Sequence, residues 1–436
     1  MKRKRNIMAG VLLGGLLLLI AVSWHRHRET VIHIGFFSGS NWGAPENKTI
    51  RILEAGIRKF ERRHPGVRVE YTGGIQKKDY TEWLSEGFLT GREPDVILLT
   101  PDDFNFFASK KALLNLDSLI EEDGNFKKQE YYEGALRFGS YGQVQYALPY
   151  ECMPVLMAVN KTLLKEAGIE YPPAGWNWAK FHEICRKVTR DKNQDGVPDS
   201  YGVCGYTWQD AAYSNGACLF DEQGRVNYVG GRKVVNAVNF VYTLSTLNHG
   251  YKVTQKDFEA GRAAFCPMPF SEYKTYKTYP WKLEKYTGFD WEVTTMPAGP
   301  DGDNISVLDS LLMAISRHTR ERELSWELLK TLTYDEEIQT ELLEYSEGIS
   351  PLKDVLQTAG KLPEADRYTE AIDTHLLDRV MEKAAAAVRF KGYETAVGIL
   401  DEEIQNAMES EKNIRVVLIS LQRKINEFLK NNSLKE

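Results

Sequence analysis

From residue 30 onward, short apolar runs of strand length alternate with segments whose apolar residues recur every three or four positions, the mark of strands interleaved with helices. Val31 to Gly39 reads as a first strand that breaks into the polar loop SGSNWG, and Thr49 starts an amphipathic helix through His64. Val67 to Tyr71 is a second strand, Asp79 to Thr90 a helix, and PDVILLTP a buried third strand ending at Asp102 and Asp103. This alternation predicts an α/β fold with a mostly parallel sheet covered by helices on both faces. Ala147 to Val159 is apolar throughout except at Tyr150 and Glu151, so it reads as a buried strand. Asn160 then caps a short helix, Lys161 to Ala167, that stops at Gly168; Pro172-Pro173 ends the unit before Trp176 opens the next helix. Arg232 to Leu247 is helical, Val307 to Ser316 a strand, and helices over Thr369 to Phe390, Glu394 to Ser410 and Asn413 to Asn431 finish the chain. KAAAAVRF, residues 383–390, falls inside the first of these because alanine favours helix.

Several positions break the pattern in ways that bear on function. A carboxylate at Glu151 on an apolar strand needs a partner or a cavity, because an unpaired buried charge loses several kcal/mol of hydration. Loops at the carboxyl ends of strands are where α/β sheets receive ligands. That makes Trp42, held between Asn41 and Gly43, either a platform at a cleft mouth or a side chain packed on its own helix. By the same logic Asp102 is a cleft residue, with Asp103 read as a solvated helix cap. Tyr206 to Phe220 gathers Trp208, Tyr213 and Asn215 in a polar, small-residue setting. Flat aromatic rings against pyranose faces, with carboxylates or amides on paired hydroxyls, are the chemistry of carbohydrate recognition.

The order ALPY, a strand ending in Asn160-Lys161, LLKEAGIEYPP and a Trp-rich helix start resembles the first interlobe crossover of the bacterial extracellular solute-binding proteins of family 1, the sugar-binding group of ABC importers that includes maltodextrin-binding proteins. REPDVILL, DKNQDGVPDSYG, FEAGRAAF, FDWEVTTMPAGPDG and SWELLKTLTYDEEIQ resemble that family's successive blocks, in the same order and over nearly all of the chain after residue 30. The resemblance implies a type II periplasmic-binding-protein-like fold of two lobes, each a mostly parallel sheet flanked by helices. It implies lobe one over 30–149 plus 297–333, lobe two over 150–296 plus 334–436, and three interlobe crossings, the second at Trp291 to Gly299 and the third near Leu332 to Asp335. It further implies that Tyr150 and Glu151 meet the ligand, Glu151 accepting from sugar hydroxyls. Phe270 and Glu272 fall in a ligand-touching loop after a strand at PMPFSEY. Asp309-Ser310 replaces the family's usual small-residue pair, adding an acceptor and narrowing the site. The function implied is capture of a carbohydrate by a monomer that delivers it to ABC permease subunits, with no cofactor or metal.

Composition narrows the field. A chain of 436 residues with 42% hydrophobic positions divides into more than one domain. The net charge is -6, and the one Lys/Arg cluster lies at the extreme N-terminus, which excludes the basic surface a nucleic acid requires. Cys152, Cys185, Cys204, Cys218 and Cys266 lack paired spacing and His neighbours, so zinc is excluded; a Cys204–Cys218 bridge and free buried thiols remain as alternatives. Asp191 to Asp199 supplies oxygens at positions 1, 3, 5 and 9 of a calcium-type loop, but Gly202 stands at position 12, so an Asx-rich surface turn is expected. Lys2 to Arg5 followed by the apolar run Ile7 to Trp24 makes residues 1–29 a signal or anchor segment, with KRKR cytoplasmic and the rest outside. No cysteine near Ala21-Val22-Ser23 offers a lipid attachment. An uncleaved transmembrane tether and cleavage near Ser23 are the two readings. A tethered sensor of the same fold and a secreted hydrolase using Asp102, Glu151 and Asp309 are the competing functions; the absence of an acid pair within one motif speaks against the second.

Overall fold

The computed structural model describes residues 29–40, 49–221, 224–278, 288–358, 373–386, 388 and 390–433. Its strands are β1 (Thr30–Gly35), β2 (Val67–Tyr71), β3 (Val96–Leu99), β4 (Ser140–Tyr141), β5 (Val144–Gln145), β6 (Ala147–Asn160), β7 (Tyr201–Val203), β8 (Ala263–Pro269), β9 (Trp291–Thr294), β10 (Val307–Ile315) and β11 (Ala385–Ala386). Apart from the β4–β5 hairpin they join in the order β2-β1-β3-β10-β6-β8-β7, with β11 on β10 and β9 on β6.

Pairs β1–β2, β1–β3, β7–β8 and β10–β11 are parallel, and every antiparallel pair in this sheet involves β6 or β10. Of these two, β6 carries the chain from one half of the molecule to the other. β3, Val-Ile-Leu-Leu, is buried at each position, as a parallel strand covered on both faces must be. β6 serves both halves: Ala147 to Pro154 pairs with β10, and Val155 to Asn160 pairs with β8 and β9. The register against β10 shifts between Leu311, opposite Glu151, and Leu312, opposite Pro149, so Tyr150 is the extra residue of a bulge. At the end of β6, Asn160 Oδ1 accepts from Leu163 N at 2.9 Å and starts the helix Lys161–Glu166.

The helix Thr49–Arg63 turns Ile52, Leu53, Ile57 and Phe60 inward, as its amphipathic spacing predicts. These residues join a core with Ile32, Leu98, Leu148, Leu312 and Leu328 that continues under β8 to Met268 and Phe270. A second core includes Val159, Phe181, Phe265, Ala396 and Leu418. The stretch 334–436, expected as a block in lobe two, divides between them. The helices Glu336–Tyr345, Lys353–Thr358 and Thr374–Glu382 pack into the first core, and the helices Tyr393–Glu409 and Ile414–Ser433 into the second. Ala384 is the last residue of the first core, and Phe390 is the first residue beyond it that belongs to the second.

Two local expectations are corrected. The helix expected to run on to Phe390 ends at Glu382, and β11 pairs Ala385 and Ala386 with Val307 and Leu308. The open edge of β10 outweighs alanine's weak helical preference. PMPFSEY is not a loop, because the helix Phe270–Thr278 follows β8 directly. The polar, small-residue stretch Tyr206 to Phe220 contains the helix Trp208–Ser214, with Thr207 and Asp210 as its capping box.

Candidate functional site

Between the two halves lies a cleft of about 750 Å³, within the range of ligand pockets. The half built on β1–β3 contributes Lys77, Thr100, Pro101 and Asp102, with Val307, Leu308 and Asp309 from the start of β10. The other half contributes Thr207, Gln209, Asp210 and Tyr213 from one helix start, Tyr393, Glu394 and Val397 from another, and Pro267 and Pro269 from β8. Val155, where β6 changes partners, lines it too.

Helix starts place most of these groups. Thr100 caps the helix Pro101–Ser109: its hydroxyl donates to Asp103 Oδ2 at 2.8 Å and accepts from Asp103 N at 3.3 Å, while Thr81 Oγ1 donates to Asp103 Oδ1 at 2.6 Å. Asp103 is consumed by that lock and buried, rather than solvated as expected. Its neighbour Asp102 is left exposed toward the cleft. Across the cleft, Asp210 Oδ2 accepts from Thr207 N at 3.0 Å and Thr207 Oγ1 at 2.7 Å. Burial pushes the Asp210 carboxyl up, against the pull of those bonds. Asp309 Oδ1 accepts from Ser310 N at 2.8 Å. Tyr393 packs its ring edge-on against Phe220 and Phe390, at 5.7 and 5.4 Å between centroids.

The lining thus combines an apolar floor of Val155, Pro267, Pro269, Leu308 and Val397, two tyrosines, and a rim on which Asp102, Asp210, Asp309 and Glu394 face the single ammonium of Lys77. Acceptors outnumber charged donors. A ligand that brings hydroxyl or other N–H and O–H donors complements that surface.

Of the residues named from the sequence, Asp102, Tyr213 and Asp309 come together here. Asn41 and Trp42 lie outside the described residues. Trp208 turns into the second core, its Nε1 donating to Asp401 Oδ1 at 2.8 Å. Asn215 is buried, Nδ2 donating to Lys233 O at 2.9 Å and Oδ1 accepting from Asp301 N at 3.0 Å. Glu151 is 1% exposed and accepts from Gly348 N at 2.5 Å. Tyr150 is buried beside it, its hydroxyl without a partner among the described residues. Phe270 belongs to the first core. Glu272 accepts from Gln255 Nε2; burial pushes its carboxyl up. These six do not line the cleft, because an apolar strand or ring signals burial as readily as a binding surface.

Sequence reasoning missed Lys77, Gln209, Tyr393, Glu394 and Val397. The signal available for Gln209 was the Thr207-x-x-Asp210 capping box, which aims a helix start at the cleft; for Tyr393 it was Gly392, whose φ of 85° opens the next helix.

Among the described residues no group of His, Cys, Asp or Glu could hold a metal. In the Asp191 to Asp199 loop, Asp191 accepts from Gln194 N at 2.6 Å and Gly196 N at 2.8 Å, and Asp195 from Val197 N at 2.8 Å, a run of Asx turns. No helix among the described residues is long and apolar enough to cross a membrane; the apolar run from Ile7 to Trp24 lies outside them.

Residues 44–338 match a family profile described as bacterial extracellular solute-binding protein. No curated protein matches the sequence. Among solved structures, the chain is similar to the sugar-binding protein MalE of Xanthomonas citri, at 17% identity and a TM-score of 0.75 over 93% of this chain and 98% of that one. It is similar to a cyclic alpha-maltosyl-1,6-maltose binding protein of Arthrobacter globiformis, at 15% identity and a TM-score of 0.75 over 92% and 99%. It is also similar to an ABC substrate-binding protein of Listeria monocytogenes in complex with cycloalternan, at 18% identity and a TM-score of 0.65 over 92% and 99%. At these identities the likeness is one of fold.

Proposed function

The chain belongs to the bacterial extracellular solute-binding proteins, and from that premise we propose that it captures an oligosaccharide between its two halves and delivers it to an ABC permease. The family places it outside the cytoplasm. The observation that carries the ligand class is the cleft itself, in which carboxylates from both halves ring an apolar floor and two tyrosines. Sugar hydroxyls supply donors to a rim whose carboxylates outnumber its one ammonium, and the C–H faces of pyranose rings suit the floor and the tyrosines. Structural neighbours that bind cycloalternan and cyclic maltosyl-maltose support this reading. Closure favours the bound state by the ligand's differential affinity for it.

The test is a thermal-shift panel of linear and cyclic gluco-oligosaccharides on residues 29–436, with chromatography of each sugar afterwards. At least one sugar raises the melting temperature and is recovered intact. A panel without any shift refutes the carbohydrate reading, and shortened products would make the protein a hydrolase.

The proposal includes attachment: residues 7–24 tether the chain, with Lys2 to Arg5 on the cytoplasmic side. Full-length protein then fractionates with membranes without incorporating radiolabelled fatty acid, and co-purifies with permease subunits rather than a sensor kinase. A soluble mature form beginning near Trp24 would replace the tether with cleavage.

A further inference from the structure

The five cysteines are free in the structure, and two of them stand side by side. β7 and β8 run parallel, with Tyr201 opposite Ala263 and Val203 opposite Phe265. One residue further on, Cys204 N donates to Phe265 O at 3.0 Å, which brings Cys204 against Cys266. Both are buried, 1% and 4% exposed, and because each follows by one residue the paired Val203 and Phe265 of a parallel ladder, their side chains leave the sheet on one face. The Cys204 thiol donates to Phe265 O and the Cys266 thiol to Pro267 O, each at 3.6 Å. Neighbouring strands lie about 4.7–4.9 Å apart, inside the span of about 4.4–6.8 Å between Cα atoms that a disulfide bridges. The other cysteines are engaged elsewhere: Cys152 contacts Ser310 Oγ at 3.7 Å, Cys218 donates to Phe220 O at 2.8 Å, and Cys185 packs against Gly202.

We propose that Cys204 and Cys266 are joined by a disulfide when the chain folds outside the cytoplasm, a cross-link that fastens the three-residue edge strand β7 to β8. It rests on the extracellular placement that the family brings, not on the identity of the ligand. The bond lies next to Pro267, which lines the cleft, so it stiffens the wall that contacts the ligand.

The oxidant is a disulfide, either of a small thiol or of an extracytoplasmic thiol–disulfide exchange protein. The thiolate of one cysteine attacks it, forming a mixed disulfide and releasing the first thiolate. The second cysteine's thiolate then attacks the cysteine sulfur of that mixed disulfide, forming the Cys204–Cys266 bond and releasing the second. The two cysteine protons end on the two released thiols, so the oxidant's disulfide is reduced as the pair is oxidised. In the folded state the adjoining Cys204 thiol, together with burial, pushes the Cys266 thiol up and suppresses the thiolate this exchange needs. The step therefore belongs to folding, before β7 and β8 are covered, and the finished bond resists reductant until the region unfolds.

The test takes the full chain exported by a bacterial host, quenched with acid, denatured in N-ethylmaleimide, digested and read by mass spectrometry. The expected result is a peptide pair linked through Cys204 and Cys266, lighter by two hydrogens, with Cys152, Cys185 and Cys218 alkylated. Alkylation of all five, or a Cys204–Cys218 link, overturns the proposal. A second arm compares exported wild type, wild type reduced in denaturant and refolded, and C204S/C266S. The reduced wild type and the variant melt together, below the oxidised protein; identical melting of oxidised and reduced wild type overturns the cross-link, and a variant that does not fold leaves the wild-type comparison to decide. An unchanged glycan shift in all three forms separates this outcome from a failure of the carbohydrate reading.

Discussion

Val155 and Ser306 hold each other through two hydrogen bonds at the place where β6 changes partners: Val155 N donates to Ser306 Oγ at 2.9 Å, and the hydroxyl donates to Val155 O at 2.7 Å. Ser306 also accepts from Ala385 N at 2.9 Å through its backbone oxygen. One buried serine thus ties together β6, the start of β10 and β11, the strands that carry or border each passage between the halves. Ser306→Ala removes both of these bonds from the half-buried Val155 at the edge of the cleft, and unfolding in denaturant should show a loss of about 0.5–1.5 kcal/mol. An unchanged midpoint would mean that water replaces the hydroxyl there.

Three passages concentrated at one place make a hinge, and a ligand gripped from both sides shifts the open–closed balance only by its preference for the closed form. Small-angle scattering should therefore give a smaller radius of gyration with saturating glycan. Identical profiles with and without ligand would show that the cleft binds without closing.

What the sequence disclosed was mostly local. Strands β1 to β3, the Asn160 cap and the buried character of β6 follow from short-range pattern, because a strand covered on both faces has no choice but to be apolar. The cleft was harder to read. Asp102, Tyr213 and Asp309 sit at element ends where polar groups interrupt apolar runs, so pattern alone singles them out. Tyr393 and Glu394 are separated from their cleft neighbours by long stretches of chain, and nothing local distinguishes a helix start aimed at a cleft from one aimed at solvent. β11 shows the opposite failure: the alanines of residues 384–387 suggest helix, and the vacant edge of β10, invisible in the sequence, recruits two of them as strand.

Glu151 tests how far an odd charge betrays a binding site. Its carboxylate accepts from Gly348 N, and a Cβ on Gly348 would meet Glu151 Cγ at 2.4 Å, so the loop at 346–350 is built around this side chain. Glu151→Gln keeps an acceptor but loses charge assistance, which should lower stability by roughly 1 kcal/mol, whereas Glu151→Ala strands a buried N–H and should lower it by about 1–3 kcal/mol. Glycan affinity by calorimetric titration should change less than twofold in the Gln variant. A tenfold weakening at constant melting temperature would return Glu151 to the ligand.

Acid stability should depend on Asp123. Burial raises its carboxyl, but bonds from Lys330 at 2.5 Å, Asn125 N at 3.0 Å and Trp326 Nε1 at 3.0 Å outweigh it, and the net shift is downward from the usual 3.8. A carboxyl lowered on folding contributes stability that is present above its unfolded value and lost as pH falls through the folded one. The melting-temperature advantage of wild type over Asp123→Asn should hold at neutral pH and shrink below about pH 4. An advantage that is flat from pH 7 to 2 would place the contribution in packing.

The carboxylates of the two cleft walls offer the sharpest separation of binding from folding. Asp102 lies in a helix whose start is already capped by Thr100, and its exposed side chain takes no part in that lock. Glu394 lies exposed in the first turn of the facing helix Tyr393–Glu409. Each stands in the first turn of its helix, where a negative charge gains about 0.3–1 kcal/mol from the helix dipole. A charge-assisted bond to a sugar hydroxyl contributes roughly 1.5–3 kcal/mol, so Asp102→Asn and Glu394→Gln should each weaken glycan binding on the order of ten- to a hundredfold. Because one ligand links both walls, losing the grip on one side also lowers the closed population on which the other depends. The double variant should therefore depart from the sum of the singles, and calorimetric titration of all four proteins measures that departure. A ligand-free melting temperature that falls steeply with each substitution, while affinity stays put, would assign both carboxylates to the scaffold instead.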